Sequence, residues 1–122
     1  MFRSLFLALM LVAGPAAADT RLIMFDQAGC SWCEAWDAQI GPVYGKTEEG
    51  RAAPLVRYGM KDALPSDVSL ASPPVFTPTF VLLHDGQEVG RIEGYPGEDF
   101  FWGLLGQMID KLPDETAPEP GT

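Results

Sequence analysis

Cys30 and Cys33 are the residues of this 122-residue chain whose types and spacing point most directly to chemistry. The sequence holds two cysteines in all, and they stand three positions apart in the run Cys-Ser-Trp-Cys. A disulfide across so short a loop adds little stability, because the entropic gain from a cross-link grows with loop length. The pair is therefore expected to do chemistry, either thiol-disulfide exchange or metal binding.

The cysteine pair stands at a predicted junction between a strand and a helix. Residues 22–25 are a short apolar run that leads into a loop ending at Gly29, which is typical of a buried strand. Beyond Ser31, spacings of three and four mark one apolar helix face, made of Cys33, Trp36 and Ile40. Cys30 then lies at the helix N-terminus, where backbone N–H groups and the helix dipole stabilise a thiolate. We predict that Cys30 is the catalytic nucleophile and that Cys33 resolves the mixed disulfide.

The surrounding pattern predicts an α/β fold. Residues 54–58 resume an extended pattern after a polar connection at residues 43–50, so a second strand parallel to the first is expected. Residues 79–84 and 87–93 are rich in β-forming side chains and flank Asp85–Gly86, which is a strong hairpin signal.

A reduced crossover and a closing helix complete the predicted order β-α-β, crossover, β-β-α. Residues 61–77 contain three prolines, which leave room for one or two helical turns at residues 66–71 in a crossover that lies mainly on the surface. Acidic residues precede a final helix that Pro113 ends, and its apolar stripe is expected to cover one face of the sheet. That stripe consists of Phe101, Leu104, Leu105, Met108 and Leu112.

The first eighteen residues are typical of a signal peptide. Arg3 supplies a positive start, residues 5–13 are apolar, and Ala16–Ala18 offers a cleavage site of small residues. The apolar run is shorter than the roughly 20 residues that a membrane-spanning helix needs. We therefore expect cleavage after Ala18 and a soluble mature chain in the periplasm.

The mature chain is expected to be one compact domain over residues 19–112 with a disordered, acidic, Pro-rich tail over residues 113–122. The formal net charge of the whole chain is −9, and loss of Arg3 makes it one unit more negative. The acidic residues are scattered along the chain, as in an ordinary soluble surface. This charge argues against nucleic acid as a partner.

Cys-x-x-Cys also occurs in zinc sites and at haem attachment, and the neighbouring residues count against both. Structural zinc takes four ligands, whereas the sequence offers two cysteines and a single histidine, His84, on a distant strand. Haem attachment requires a histidine directly after the second cysteine, where this chain has Glu34. We therefore expect no metal and no other cofactor at the pair.

Thr77 and Pro78 form a second motif. They open the β-rich run that starts at Thr79, and the first residue of a strand is a position that tolerates proline. About one X-Pro bond in twenty is cis in folded proteins, so the residues by themselves leave the isomer of Thr77–Pro78 open.

With these two motifs and the closing helix, residues 21–112 resemble the thioredoxin superfamily. The resemblance implies a thioredoxin-like fold in which a cis-proline loop lies beside the cysteine pair, and it assigns Thr77 and Pro78 to binding an extended substrate strand. It also implies that Trp32 is exposed and offers a partner protein an apolar platform.

The chain departs from thioredoxin itself in three places. Ser31–Trp32 replaces a Gly-Pro dipeptide, the second crossover helix is shortened, and Met24 stands where the family has a buried aspartate. Because a methionine cannot exchange a proton, any base that deprotonates Cys33 must come from elsewhere. Glu34 and Asp26 are the neighbouring carboxylates in the sequence.

Three segments, Gly29–Cys33, Phe76–Phe80 and Arg91–Phe101, are similar to small periplasmic thioredoxin-like regulatory proteins of bacterial sulfur-oxidation systems. That resemblance implies a reductase that acts on a disulfide or a modified cysteine of a partner protein, such as a sulfur-oxidation carrier protein. An exported reductant works in an oxidising compartment, so a membrane electron donor is expected to recharge it.

Three alternatives remain open at the level of sequence. A thiol oxidase or isomerase uses the same two cysteines, because the direction of exchange depends on the reduction potential. A non-catalytic module uses them to hold copper(I) or docks a partner without chemistry. A structural domain with an inert disulfide is the third.

Overall fold

The computed structural model describes residues 19–113, which contain four strands and four helices. In chain order they are β1 (Thr20–Asp26), α1 (Ser31–Gln39), α2 (Gly41–Tyr44), α3 (Glu48–Ala52), β2 (Leu55–Gly59), β3 (Thr79–His84), β4 (Gln87–Glu93) and α4 (Glu98–Asp110). The predicted signal peptide and nearly all of the predicted tail lie outside this range. Within it, no helix is both long and apolar enough to cross a membrane.

The strands form one mixed sheet in the order β2-β1-β3-β4. β2 runs parallel to β1, whereas β3 is antiparallel to both β1 and β4. The predicted parallel pair and the hairpin around Asp85–Gly86 are both confirmed, as is the α/β fold class. Phe25, near the carboxyl end of β1, pairs with Tyr58 of β2 and with Thr79 at the start of β3. The end of β1, where the cysteine loop begins, therefore lies beside the segment that carries Pro78.

One face of the sheet is covered by α1 and α4. The predicted helix face of Cys33, Trp36 and Ile40 is buried, and Trp36 lies at the centre of an aromatic cluster. Its ring centroid is 5.4 Å from that of Phe80 and 5.8 Å from that of Phe101. Apolar packing of helices on a strand surface thus holds this side of the molecule, which we call the helical face.

The opposite face has no helix over it in the described part of the chain. Four buried strand residues, Ile23, Phe25, Val81 and Leu83, pack against side chains of the crossover between β2 and β3. The helical turns predicted at residues 66–71 are wrong, because this segment is irregular and forms a bridge between Ser69 and Gln87 of β4. The Ser69 amide donates to Gly86 O at 2.7 Å, and the Glu88 amide donates to Ser69 O at 3.0 Å. We call this side the loop-covered face.

The predicted polar connection at residues 43–50 contains two short helices instead. Pro42 stands in the first turn of α2, a position that suits its missing N–H. Thr47 caps α3 by accepting a hydrogen bond from the Gly50 amide at 3.0 Å. Both features are local helix signals. Each helix is nevertheless too short to show an apolar period, so the sequence pattern predicts a loop here.

The predicted stripe of α4 is correct except at one position. Phe101 and Leu105 are fully buried, whereas Leu104 is 40% exposed and its place against the core is taken by Trp102 and Ile109. Successive residues turn by about 100° around a helix, so Leu104 lies on the edge of the face that Phe101 and Leu105 define. The helix ends at Asp110, before Pro113.

Candidate active site

The loop after β1 turns the chain sharply into α1. Gly29 has a φ of 78°, a left-handed conformation that glycine adopts without steric cost. Cys30 follows in an extended conformation and is the N-cap of α1. The backbone N–H of Cys33 donates to Cys30 Sγ at 3.1 Å, as serine or aspartate oxygens accept at ordinary helix starts. The first cysteine sulfur is therefore held over the helix N-terminus, as the sequence predicts.

Cys30 and Cys33 are joined by a disulfide, with their Cα atoms 5.2 Å apart. Both residues are largely buried: Cys30 is 8% exposed and Cys33 is 4% exposed. Both belong to the apolar cluster of the helical face. The predicted burial of Cys33 is confirmed, and Cys30 is only slightly more open. Cys30 is therefore the more accessible of the two residues to a partner's sulfur.

The Thr77–Pro78 peptide bond is cis, so the isomer that the residues left open is decided by the structure. Pro78 is buried, and its carbonyl accepts a hydrogen bond from the Gly94 amide at 2.7 Å. The hydroxyl of Thr79 donates to Phe76 O at 2.7 Å and fastens the segment in front of the proline. Because β3 starts beside the end of β1, Thr77 and Pro78 lie at the same end of the sheet as the cysteine loop.

Exposed apolar side chains surround these two motifs in the sequence. Trp32, between the cysteines, is 63% exposed, as the family resemblance implies, whereas Trp36 on the same helix is fully buried. Val75 and Phe76, directly before Thr77, are 72% and 59% exposed. No sequence motif predicted their exposure, although an apolar pair between prolines in a polar crossover is a signal that the sequence offers.

The carboxylates next to the cysteines are arranged differently from each other. Glu34, in the first turn of α1, is exposed to solvent. Asp26, at the end of β1, accepts hydrogen bonds from Arg57, which also binds Asp37 of α1. Met24 is fully buried in the apolar cluster that contains both cysteines. Sequence reasoning missed Arg57 and Asp37, and the signal was a lone arginine in the otherwise uncharged strand β2.

A tyrosine on the far side fastens the other end of α1. The hydroxyl of Tyr95, in the loop between β4 and α4, donates to Gln39 Oε1 at 2.5 Å. Burial, and then the negative charge of Glu98, raises the pKa of Tyr95 above its usual value. Within residues 19–113, no group of three or more His, Cys, Asp or Glu side chains is arranged to hold a metal ion.

These features define a class of protein. A cysteine that caps its own helix, bonded to a second cysteine one turn later and set beside a cis-proline strand entry, belongs to the thioredoxin-like thiol-disulfide oxidoreductases. A scan against protein-family models and a search of curated proteins find no match.

Among solved structures, the chain is similar to the crystal structure of the periplasmic thioredoxin SoxS from Paracoccus pantotrophus in its reduced form. The two sequences are 55% identical, the TM-score is 0.74, and the match covers 75% of this chain and 97% of that chain. The chain belongs to the thioredoxin superfamily and, within it, to the family that SoxS represents. It is accordingly a thiol-disulfide oxidoreductase.

Proposed function

We propose that this protein is a periplasmic reductase in which Cys30 attacks a disulfide or sulfur adduct on a partner protein and Cys33 completes the exchange. The observation that carries the proposal is the capped disulfide itself, with Cys30 Sγ accepting the Cys33 N–H at the start of α1. Hydrogen bonding and the helix dipole stabilise a thiolate at this position once the pair is reduced. A stabilised thiolate is both the attacking and the leaving group that exchange requires.

The reaction balances over two displacements. The Cys30 thiolate attacks one sulfur of the substrate disulfide, so that a mixed disulfide forms and the other substrate sulfur leaves as a thiolate. The Cys33 thiolate then attacks Cys30 Sγ, forms the Cys30–Cys33 disulfide and releases the second substrate thiolate. Two electrons pass from the enzyme to the substrate, and the two protons that the Cys30 and Cys33 thiols release on ionisation are balanced by two that the substrate thiolates take up from solvent.

The partner is expected to bind over the cysteine pair, in contact with Trp32, Thr77 and Pro78. Trp32 supplies an apolar platform beside the sulfurs. The segment at Thr77 and Pro78 supplies the backbone along which an extended substrate strand binds. The similarity to the periplasmic thioredoxin SoxS supports a sulfur-oxidation carrier protein as the substrate. It also supports the periplasm as the location, consistent with the predicted signal peptide at residues 1–18. We propose a membrane protein as the electron donor that reduces the pair again.

A trapping experiment tests the proposal. In Cys33→Ser the second displacement is blocked, so a mixed disulfide between Cys30 and the partner is expected to accumulate in a periplasmic extract and to release the partner on reduction. Cys30→Ser is the matched control and is expected to trap nothing and to reduce no disulfide. Adding Trp32→Ala to the trapping variant is expected to lower the yield of the adduct. Full disulfide-reducing activity in Cys30→Ser would overturn the assignment.

The reduction potential of the pair tests the direction of electron flow. A reductase is expected to lie nearer the about −270 mV of thioredoxin than the about −120 mV of strongly oxidising relatives. Equilibration with glutathione buffers, followed by thiol counting, gives the value. A potential at the oxidising end would instead identify the protein as an oxidase with the same two cysteines.

A further inference from the structure

Arg57 of β2 donates four side-chain hydrogen bonds to Asp26 and Asp37, which stand before and after the cysteine pair in the sequence. Its Nε and Nη2 donate to Asp26 Oδ2 at 3.1 and 2.5 Å. Its Nη1 and Nη2 donate to the two carboxylate oxygens of Asp37 at 2.6 and 3.1 Å. All three guanidinium nitrogens are used, in the planar fork geometry that arginine offers and lysine does not.

The two carboxylates lie on either side of the redox loop. Asp26 is the last residue of β1, and Asp37 stands in α1, four residues and about one turn beyond Cys33. The chain between them contains the exposed turn of residues 27–29, both cysteines and Trp32. Arg57, anchored in a neighbouring strand, therefore ties the strand before the cysteines to the helix after them.

Arg57, Asp26 and Asp37 form a partly exposed cluster, which is expected to affect the geometry of the site more than the stability of the fold. The side chains of Arg57, Asp26 and Asp37 are 40%, 28% and 42% exposed. Ion pairs with this much solvent contribute little to the free energy of unfolding, so their loss leaves the fold intact. The buried face of α1 already holds the helix on the sheet. The cluster instead fixes the distance between the end of β1 and α1 across the solvent-exposed turn of residues 27–29.

The charge of Arg57 is secure. Hydrogen bonding to Asp37, and then to Asp26, raises the pKa of Arg57 further above its usual range. In the absence of this cation, two unneutralised carboxylates would flank the cysteine pair and would oppose formation of the Cys30 thiolate. Arg57 therefore acts on the site in two separable ways, through position and through charge.

We propose that Arg57 is a positioning residue for thiol-disulfide exchange: by gripping Asp26 and Asp37 it fixes the turn at residues 27–29 and holds Cys30 Sγ over the start of α1. The inference rests on the proposed roles of Cys30 and Cys33. Nucleophilic displacement at sulfur depends on alignment, and small displacements of a reacting atom reduce rates sharply. Loosening the grip is therefore expected to slow the attack of the thiolate even when the cysteine is fully ionised.

The test compares Arg57→Met, Asp37→Ala and the double variant, with Arg51→Met as the matched control. Arg51 is an exposed arginine whose side chain donates to Lys46 O at 2.8 Å, outside the cluster. For each reduced protein, the rate constant for reaction with a small aromatic disulfide is measured as a function of pH. The limiting rate at high pH reports on the position of the thiolate, and the midpoint reports the pKa of Cys30.

The expected result is a limiting rate lowered by about three- to tenfold in both single variants, with the double variant no slower than the slower single one. Arg57→Lys, which keeps the charge without the fork, is expected to restore the midpoint and only part of the limiting rate. Arg51→Met is expected to match the wild type in both quantities. Circular dichroism melting is expected to show all five variants folded.

Two outcomes would overturn the positioning role. One is a limiting rate in Arg57→Met equal to that of Arg51→Met. The other is a change of midpoint alone, which would mean that Arg57 acts only through its charge. Either leaves the assignment of Cys30 intact, because that assignment stands on the loss of activity in Cys30→Ser.

Discussion

The two faces of the sheet are closed by different means, although the same strands supply both. On the helical face, α1 and α4 bury an aromatic cluster that includes Trp36, Phe80 and Phe101, together with both cysteines. On the loop-covered face, an irregular crossover lies over four aliphatic and aromatic strand residues and is fastened to β4 by hydrogen bonds. The redox site is thus built into the side that apolar packing makes rigid. The other side is closed by apolar side chains of the crossover together with polar contacts to β4.

Removing a large ring from the helical face is expected to have the largest effect. Phe101 is fully buried and contacts Phe80 and Trp36, so Phe101→Ala is expected to lower the free energy of unfolding by about 3–5 kcal/mol. Phe100→Ala on the same helix is the control, because Phe100 is 70% exposed and its loss is expected to cost less than about 0.5 kcal/mol. Urea denaturation measures both. Equal losses would mean that the helical face is not the main source of stability.

A smaller loss is expected when the polar fastening of the loop-covered face is cut. Glu88 and Arg91 form an ion pair of 2.8 Å with side chains only 9% and 12% exposed. Glu88 also accepts from the Ala71 amide at 3.0 Å, and Arg91 donates to Ser72 O at 2.6 Å. Glu88→Ala leaves the Ala71 amide without its acceptor and removes the carboxylate that pairs with Arg91, and it is expected to cost about 1–3 kcal/mol.

The control for this variant is Glu93→Ala. The Glu93 carboxylate lies 3.7 Å from Arg91 and is 52% exposed, so its removal is expected to change stability by less than about 0.5 kcal/mol. Hydrogen exchange at the Ala71 amide is expected to accelerate in Glu88→Ala and to stay unchanged in Glu93→Ala. A Glu88→Ala variant as stable as wild type would show that the crossover is held by its apolar side chains alone.

Alkaline pH is expected to weaken the helical face by the smallest amount. Burial, with a further contribution from the charge of Glu49, raises the pKa of Tyr44, and burial also raises that of Tyr95. Each folded phenol keeps a proton that the unfolded chain releases near pH 10, the usual pKa of tyrosine. Their contribution is therefore complete below about pH 10 and is lost as the pH rises above it, by at most about 1.4 kcal/mol per pH unit for each phenol.

Urea denaturation of the wild type and of Tyr44→Phe/Tyr95→Phe at pH 8 to about pH 11 checks this sign. The double variant is expected to start lower, because the Tyr44 hydroxyl donates to Ala53 O at 2.6 Å and the Tyr95 hydroxyl to Gln39. It is also expected to lose less stability above pH 10. Parallel pH profiles for the two proteins would contradict the raised phenol pKa values.

The sequence by itself determined the parts of this protein that depend on neighbours along the chain. The Cys-x-x-Cys spacing at a strand-to-helix junction, the hairpin around Asp85–Gly86 and the amphipathic closing helix follow from local geometry and short periodicity. They were sufficient for the fold class and for the cysteine pair. The resemblance to thioredoxins supplied the expectation of a cis Thr77–Pro78 bond, which the residues alone left open.

Only the tertiary structure decided which residues distant in the sequence contact each other. Arg57 meets Asp26 and Asp37 across 31 and 20 positions of sequence, a contact that no local period contains. The irregular crossover is likewise held by bonds to β4 that outweigh its local helical tendency. Burial and long-range pairing depend on where the chain returns, and that is settled when the sheet forms.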